Sequence, residues 1–155
     1  MTIQYRVGTL KDVPGLALFL ENITSENPLV SLFEHNLGKC AGVLRRILEQ
    51  DQGVILLAEE KDIIVGAIVL GKTTIWWANK SLLTDLAFYV NPKYRHLGIQ
   101  KKLLETVKEF ADTLKMPVLI DVFNASEENE KLTRFLSIQG YKNVGFKALY
   151  TPSKE

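Results

Sequence analysis

A single cysteine, Cys40, denies the chain any internal disulfide, which suits a reducing compartment. That cysteine and two histidines make no His/Cys/Asp spacing of the kind that holds a metal ion, so no metal is expected. Charge of one sign is also missing: 19 Lys and Arg against 18 Asp and Glu give a formal net charge of +1. So small a surplus offers no electrostatic grounds for wrapping nucleic acid or coating an anionic membrane. No apolar run approaches the ~18 residues that a membrane span needs. The opening MTIQYRVGTL lacks a basic segment followed by an apolar run, and the chain is expected in the cytoplasm. No repeat, low-complexity tract or linker divides the 155 residues, of which 46% are apolar. A single domain over 1–155 with one sizeable core is therefore expected.

What is present is a regular alternation of patterns. Residues 3–7 alternate as a short strand does. Thr9, with Asp12 three residues later, resembles a capping box ahead of a helix over 13–22. Residues 23–37 contain Pro28 and show no clean period. A second helix over 38–50 places Val43, Leu44, Ile47 and Leu48 on one stripe. Strands over 53–60 and 63–70 flank Lys61-Asp62 as a tight turn. A further strand over 82–90 follows a polar and aromatic connection that holds Trp76 and Trp77. Adjacent strand residues face opposite ways, so one tryptophan is expected in the core, and at least one could line an acceptor pocket or a contact between subunits. A helix over 99–114, a strand over 117–124 and a helix over 127–139 come next. Gly140 stands where a helix C-cap glycine would. Residues 141–151 read as two short strands or one bent strand. Antiparallel hairpins ahead of a βαβ crossover predict an α/β fold with a mixed sheet and helices on both faces.

The stretch VNPKYRHLGIQKKLLETV is the most informative part of the chain. A strand ends, Pro92 breaks it, and one glycine precedes a helix whose apolar stripe runs through Ile99, Leu103, Val107, Phe110, Ala111 and Leu114. A helix start leaves several N–H groups without partners, and those groups with the helix dipole favour an anion. A glycine at that corner has no Cβ to keep a phosphate away. Arg95 brings a forked cationic donor, with His96, Lys93 and Lys101 close in sequence; Lys102 fits a solvated helix face. The loop reads equally as a phosphate cradle or as a turn that only wants a glycine.

The same residues resemble the central motif of the GNAT superfamily of N-acetyltransferases, Val-x-Pro-x-Tyr-Arg followed by Arg/Gln-x-x-Gly-x-Gly/Ala at a helix start. Arg95, Gly98 and Gln100 fall on its three marked positions. NEKLTRFLSIQGY is similar to the family's later helix, with Asn129, Phe135, Gly140 and Tyr141 in register. The resemblance implies a GNAT-like acyl-CoA N-acyltransferase fold with a six- to seven-stranded mixed sheet. It implies acetyl-CoA as cosubstrate. The pantetheine arm would lie along the backbone of Phe88, Tyr89 and Val90 as an added strand. The pyrophosphate would sit on N–H groups of His96, Leu97, Gly98, Ile99, Gln100 and Lys101 beside Arg95, and Asn129 would reach the cofactor from the next helix. It further implies an amine acceptor, a small molecule or a peptide, attacked directly with no covalent enzyme intermediate. Dimers are common in the family, which leaves a homodimer open.

Two positions depart from the pattern. Gln100 replaces the second small residue. Leu136 stands where the family's usual tyrosine returns a proton to the leaving thiolate. Thiols have a pKa of ~8.5, so unaided departure is chemically tolerable, and Tyr89 or Tyr150 could substitute. Asp85 and Asp121 interrupt apolar strands and are the candidate bases. Strand alternation would put Asp85, Ala87 and Tyr89 on one face. A carboxylate that merely holds a loop would look the same in sequence. His35 could lie near the acceptor, and Cys40 reads as a small apolar residue. A non-catalytic acyl-CoA-binding protein of the same fold remains the alternative, and an unrelated nucleotide binder a third reading.

Overall fold

The computed structural model describes residues 2–26, 29–121, 127–145 and 147–153. Strand β1 (Gln4–Val7) leads through a short 3-10 turn into helix α1 (Val13–Leu20), and further 3-10 turns precede α2 (Leu37–Glu49). Strands β2 (Gly53–Glu60), β3 (Ile63–Thr74) and β4 (Ser81–Val90) follow. Helix α3 (Ile99–Leu114), strand β5 (Val118–Leu119) and helix α4 (Glu127–Ile138) complete the order. The sheet runs β1-β2-β3-β4-β5, antiparallel except for the parallel pair β4–β5.

Local chemistry accounts for the joints. Thr9 N–H donates to Asp12 Oδ2 at 2.7 Å, the cap read from the sequence. Asn36 caps α2 by accepting from Lys39 N–H at 2.8 Å. Lys61 and Asp62 both take positive φ, 48° and 66°, the requirement of a two-residue hairpin turn whose twist matches its strands. Arg6 on β1 forks onto Glu59 of β2 and reaches Asp12, with Nη2 2.6 Å from each carboxylate. Those bonds hold the Asp12 carboxyl down at about 2.

Helices cover both faces of the mixed sheet, as expected. Leu103, Leu104, Val107 and Leu136 of α3 and α4 pack with Ile68, Leu70 and Leu83 on one face. Leu16, Leu20, Leu44 and Ile47 of α1 and α2 pack with Ile55, Leu57 and Val69 on the other. The strand count differs from the expected six to seven: among the described residues the sheet has five strands. Residues 141–145 and 147–153 join no ladder. Gly140 turns the chain at φ 92°, and Asn143 then bends it by accepting from Gly145 N–H at 3.1 Å, so alternation there does not become pairing. Strand β3 runs on to Thr74, beyond the apolar run that marked it in sequence, because Lys72, Thr73 and Thr74 pair with Leu83, Leu82 and Ser81.

Gly66 sets where α3 begins. A Cβ at Gly66 would lie 2.9 Å from Ile99 Cγ2 and 3.3 Å from Val90 Cγ2. The bare backbone of β3 thus lets the first residue of α3 sit down on the sheet. Gly66→Val is expected to lose about 1–3 kcal/mol of stability through overpacking and to shift the start of α3. Chemical denaturation checks this, and an unchanged denaturation midpoint would show that the helix is not seated there.

Candidate active site

Strand β4 changes character halfway along. Its ladder with β3 pairs Leu70 with Asp85 but Val69 with Ala87, so Leu86 is an extra, bulged residue that faces no partner. The bulge overturns the expected sharing of one face by Asp85, Ala87 and Tyr89. Residues paired across a ladder point the same way. Asp85 therefore goes with Leu70, on the α3 side. Ala87 goes with Val69, on the α1 side. The Leu86 side chain is left largely exposed.

The other edge of β4 also changes there. Only Leu83–Val118 and Thr84–Leu119 pair across β4 and β5. At the next step a side chain takes over: Asp85 Oδ1 accepts the Asp121 backbone N–H at 2.9 Å. Beyond it, no strand lies beside Leu86 to Val90 on that side among the described residues. The sheet splits at Asp85, and from Leu86 to Val90 strand β4 has a ladder partner only on its β3 side among the described residues.

The two candidate carboxylates meet at the apex of this split. Burial pushes the Asp85 carboxyl up to about 6, reinforced by repulsion from Asp121 and eased by the backbone N–H bond and by Lys147. Asp121 carries its own counterion, with Lys147 Nζ 2.6 Å from Oδ2. A part-buried carboxyl with an elevated pKa where two strands part is a candidate base.

At the far end of β4, Pro92 to Leu97 form a 3-10 turn and Gly98 begins α3. Gly98 has φ 73°, and a Cβ there would meet nothing within 4 Å. The backbone there takes the left-handed conformation that favours glycine, and the space above it is open. The first bond inside the helix is Lys102 N–H to Gly98 O, 3.1 Å, so helical geometry leaves the N–H groups of Ile99, Gln100 and Lys101 pointing out of the helix start. A diphosphate fits this donor set.

Arg95 faces a different way from the one its sequence position suggests. Its Nε donates to Val90 O at 2.9 Å, its Nη2 is 2.6 Å from Glu26 Oε2, and its guanidinium lies 5.5 Å from the Tyr89 ring centre. It braces the end of β4 against the irregular segment after α1. His96 and Leu97 are exposed, Gln100 is half-buried at the second helical position, and Ile99 is buried. Lys101 lies 3.9 Å from Glu105. Lys93 and Lys102 are exposed. Asn129 belongs to α4; its side chain is outside the described residues, as are residues 122–124 of the expected strand.

The remaining candidates divide clearly. Tyr89 is buried edge-on against Phe19, with ring centres 5.4 Å apart, and burial raises its hydroxyl further from neutrality. It faces α1, away from Asp85. Tyr150 is exposed, and Leu136 is buried in the α3–α4 core. Trp76 and Trp77 are both exposed, at 89% and 71%, and stack edge-on at 5.1 Å; the expectation of one core tryptophan fails because both sit in the β3–β4 turn. His35 buries Nε2 without a partner among the described residues, and burial pushes the Cys40 thiol up. A groove of about 610 Å³ between α1 and the β2–β3 hairpin is lined by Arg6, Asp12, Phe19, Glu59 and Ile63 among others. It does not include Asp85 or the helix start, and its Arg6, Asp12 and Glu59 are already paired. Among the described residues no three His, Cys, Asp or Glu gather to hold a metal ion, and no helix is long and apolar enough to cross a membrane. Sequence reasoning missed Glu26, Lys147 and the Leu86 bulge, none of which carries a local pattern.

The mixed sheet that splits beside a glycine-led helix start is an α/β fold with helices on both faces. Residues 51–148 match the model of the Acetyltransferase (GNAT) domain, more than half of the chain, and the chain belongs to that family. No curated protein matches the sequence. Solved structures share the fold. An aminoglycoside acetyltransferase from an uncultured soil metagenomic sample is similar with a TM-score of 0.72 and 18% identity, over 99% of this chain and 100% of that one. A predicted acetyltransferase from Clostridium acetobutylicum, solved with acetyl-CoA, gives 0.70 and 16%, over 97% and 96%. The ribosomal-protein-alanine N-acetyltransferase of Brucella melitensis biovar Abortus 2308 gives 0.71 and 14%, over 99% and 100%. At these identities the likeness is one of fold.

Proposed function

We propose that this chain transfers the acetyl group of acetyl-CoA to a primary amine of a small molecule or peptide by direct attack. The observation that carries the proposal is the split of β4 from β5 at Asp85, with the open helix start at Gly98 beyond the other end of the freed edge. The stretch from Phe88 to Val90, whose Val90 O accepts from Arg95 Nε at 2.9 Å, offers its remaining ladder groups to the pantetheine amides. The N–H groups around Gly98 take the diphosphate. This arrangement brings the thioester toward the apex, beside the bulge and Asp85. The acceptor nitrogen forms its bond to the carbonyl carbon as Asp85, directly or through a water, takes the amine proton. A backbone N–H freed at the bulge stabilises the oxyanion, and the C–S bond breaks to release the thiolate.

Acid–base arithmetic narrows the acceptor. A lysine-like amine of pKa ~10.4 costs about 4.6 kcal/mol to present neutral at pH 7, whereas an α-amine of pKa ~7.7 costs about 1 kcal/mol. With burial holding Asp85 at about 6, amines of low pKa are the better matched. Relatives of the fold act on aminoglycosides and on ribosomal protein alanine, and both amine classes belong in the test. Thiol release from acetyl-CoA is expected with at least one member of a panel of aminoglycosides, polyamines and peptides with free N-termini. The second reading, a non-catalytic acyl-CoA binder, is favoured by Leu136, which is buried in the core where the family places its acid. Tight acetyl-CoA binding without turnover on any member of the panel would decide for it.

A further inference from the structure

We infer that Lys147, in the C-terminal segment and outside the cofactor cradle, is a positioning residue that sets the Asp121–Asp85 pair for proton removal. The inference rests on Asp85 being the base. Asp121 is gripped from two sides: Lys147 Nζ holds Oδ2 at 2.6 Å, and its backbone N–H is bound to Asp85 Oδ1 at 2.9 Å. The grip matters because β5 contributes only two ladder pairs. Past Leu119 no further ladder pair joins β5 to β4 among the described residues, and the Asp121 N–H bond to the Asp85 side chain takes over. The Lys147 side chain is 65% exposed and Asp121 27%, a pair too open to add much to fold stability. Its effect falls on the location of charge.

The charged groups that bear on Asp85 are Asp121, which raises its pKa by repulsion, and Lys147, which lowers it. Its partner on β3 is Leu70, which carries no charge. Without Lys147 the cation is gone and the Asp121 carboxylate loses its 2.6 Å tether. Both changes make Asp85 harder to ionise. Removal should therefore move the Asp85 midpoint upward, by about half a unit, the size expected of an exposed pair.

The test is a carbon-13 titration of the Asp85 carboxyl, assigned by its loss in Asp85→Asn, in the full chain and in Lys147→Gln and Lys147→Arg. The midpoint is expected to rise by about half a unit in Lys147→Gln and to return in Lys147→Arg. Acetyl-CoA affinity by calorimetry is expected to stay within about twofold, since Lys147 is not in the cradle. The acidic limb of kcat/KM, read with any amine the wild type acetylates, should follow the titration. A midpoint that stays put in Lys147→Gln overturns the role of Lys147 alone. A midpoint that moves while the kinetic limb does not overturns Asp85 as base, and the positioning role with it.

Discussion

Asp85→Asn is expected to lower kcat for acetyl transfer by about 100- to 10,000-fold, the range for removing a general base, with the Kd for acetyl-CoA changed by less than about twofold. Asparagine keeps the shape of the side chain, and its carbonyl oxygen can still accept the Asp121 N–H that Asp85 Oδ1 takes at 2.9 Å. Only the proton acceptor is lost. The wild-type profile has a definite sign. A general base works ionised, and burial holds Asp85 at about 6, so in the proposed role kcat/KM should fall about tenfold per pH unit below that value and level off above it. Asp85→Asn should lack that limb.

The same substitution should stabilise the fold, with its own sign. The folded carboxyl sits at about 6 against 3.8 when unperturbed, so the folded state favours the protonated form. The stability this contributes is fully present below 3.8 and is lost as pH rises through about 6. Above that, native Asp85 holds a carboxylate in a poorly solvated place, which asparagine does not. The variant is expected to gain about 1–3 kcal/mol at pH 8 and almost nothing at pH 3.5. A kinetic profile with its limb intact in Asp85→Asn would sink the assignment.

The sequence displayed most of this fold because its chemistry is local. Helix α3 was legible to the residue, since Ile99, Leu103 and Val107 mark a stripe that the structure buries. The β2–β3 turn was legible because two strand-like runs stand two residues apart. What stayed hidden depends on partners far along the chain. Nothing in LLTDLAFYV marks Leu86 as a bulge, because a bulge is a mismatch between two strands and not a property of one. Arg95 was read as a phosphate ligand from its neighbours, yet its guanidinium is engaged by Glu26 from 69 residues away. Asp85 and Asp121 stood out as charges in apolar strands, but their direct link and the cation on Asp121 needed the topology. Residues 141–151 read as two short strands or one bent strand, yet the described ones join no ladder. Alternation gives a segment two faces, but a ladder also needs a neighbour whose free groups it can reach.

Gly98→Asp is expected to weaken acetyl-CoA binding by about 30-fold, and Gly98→Asn by far less. The contrast follows from the open space at this corner. A Cβ at Gly98 would meet nothing within 4 Å, so neither side chain is forced into the protein. Asparagine and aspartate are also the non-glycine residues that best tolerate a left-handed backbone, and Gly98 has φ 73°. The two variants are therefore matched in shape and in backbone cost, and they differ in one negative charge. If the diphosphate sits on the N–H groups at the start of α3, that charge lies a few ångströms from it. Repulsion of about 2 kcal/mol at partly screened range corresponds to about 30-fold. S-acetylpantetheine, which has no diphosphate, should bind all three proteins alike, because its arm uses the β4 edge and not the corner. Calorimetry with both ligands separates the outcomes. Equal acetyl-CoA affinity in Gly98→Asp and Gly98→Asn would mean that no phosphate group approaches residue 98. Weakening of both ligands together would mean that the substitution had distorted β4 instead of charging the cradle.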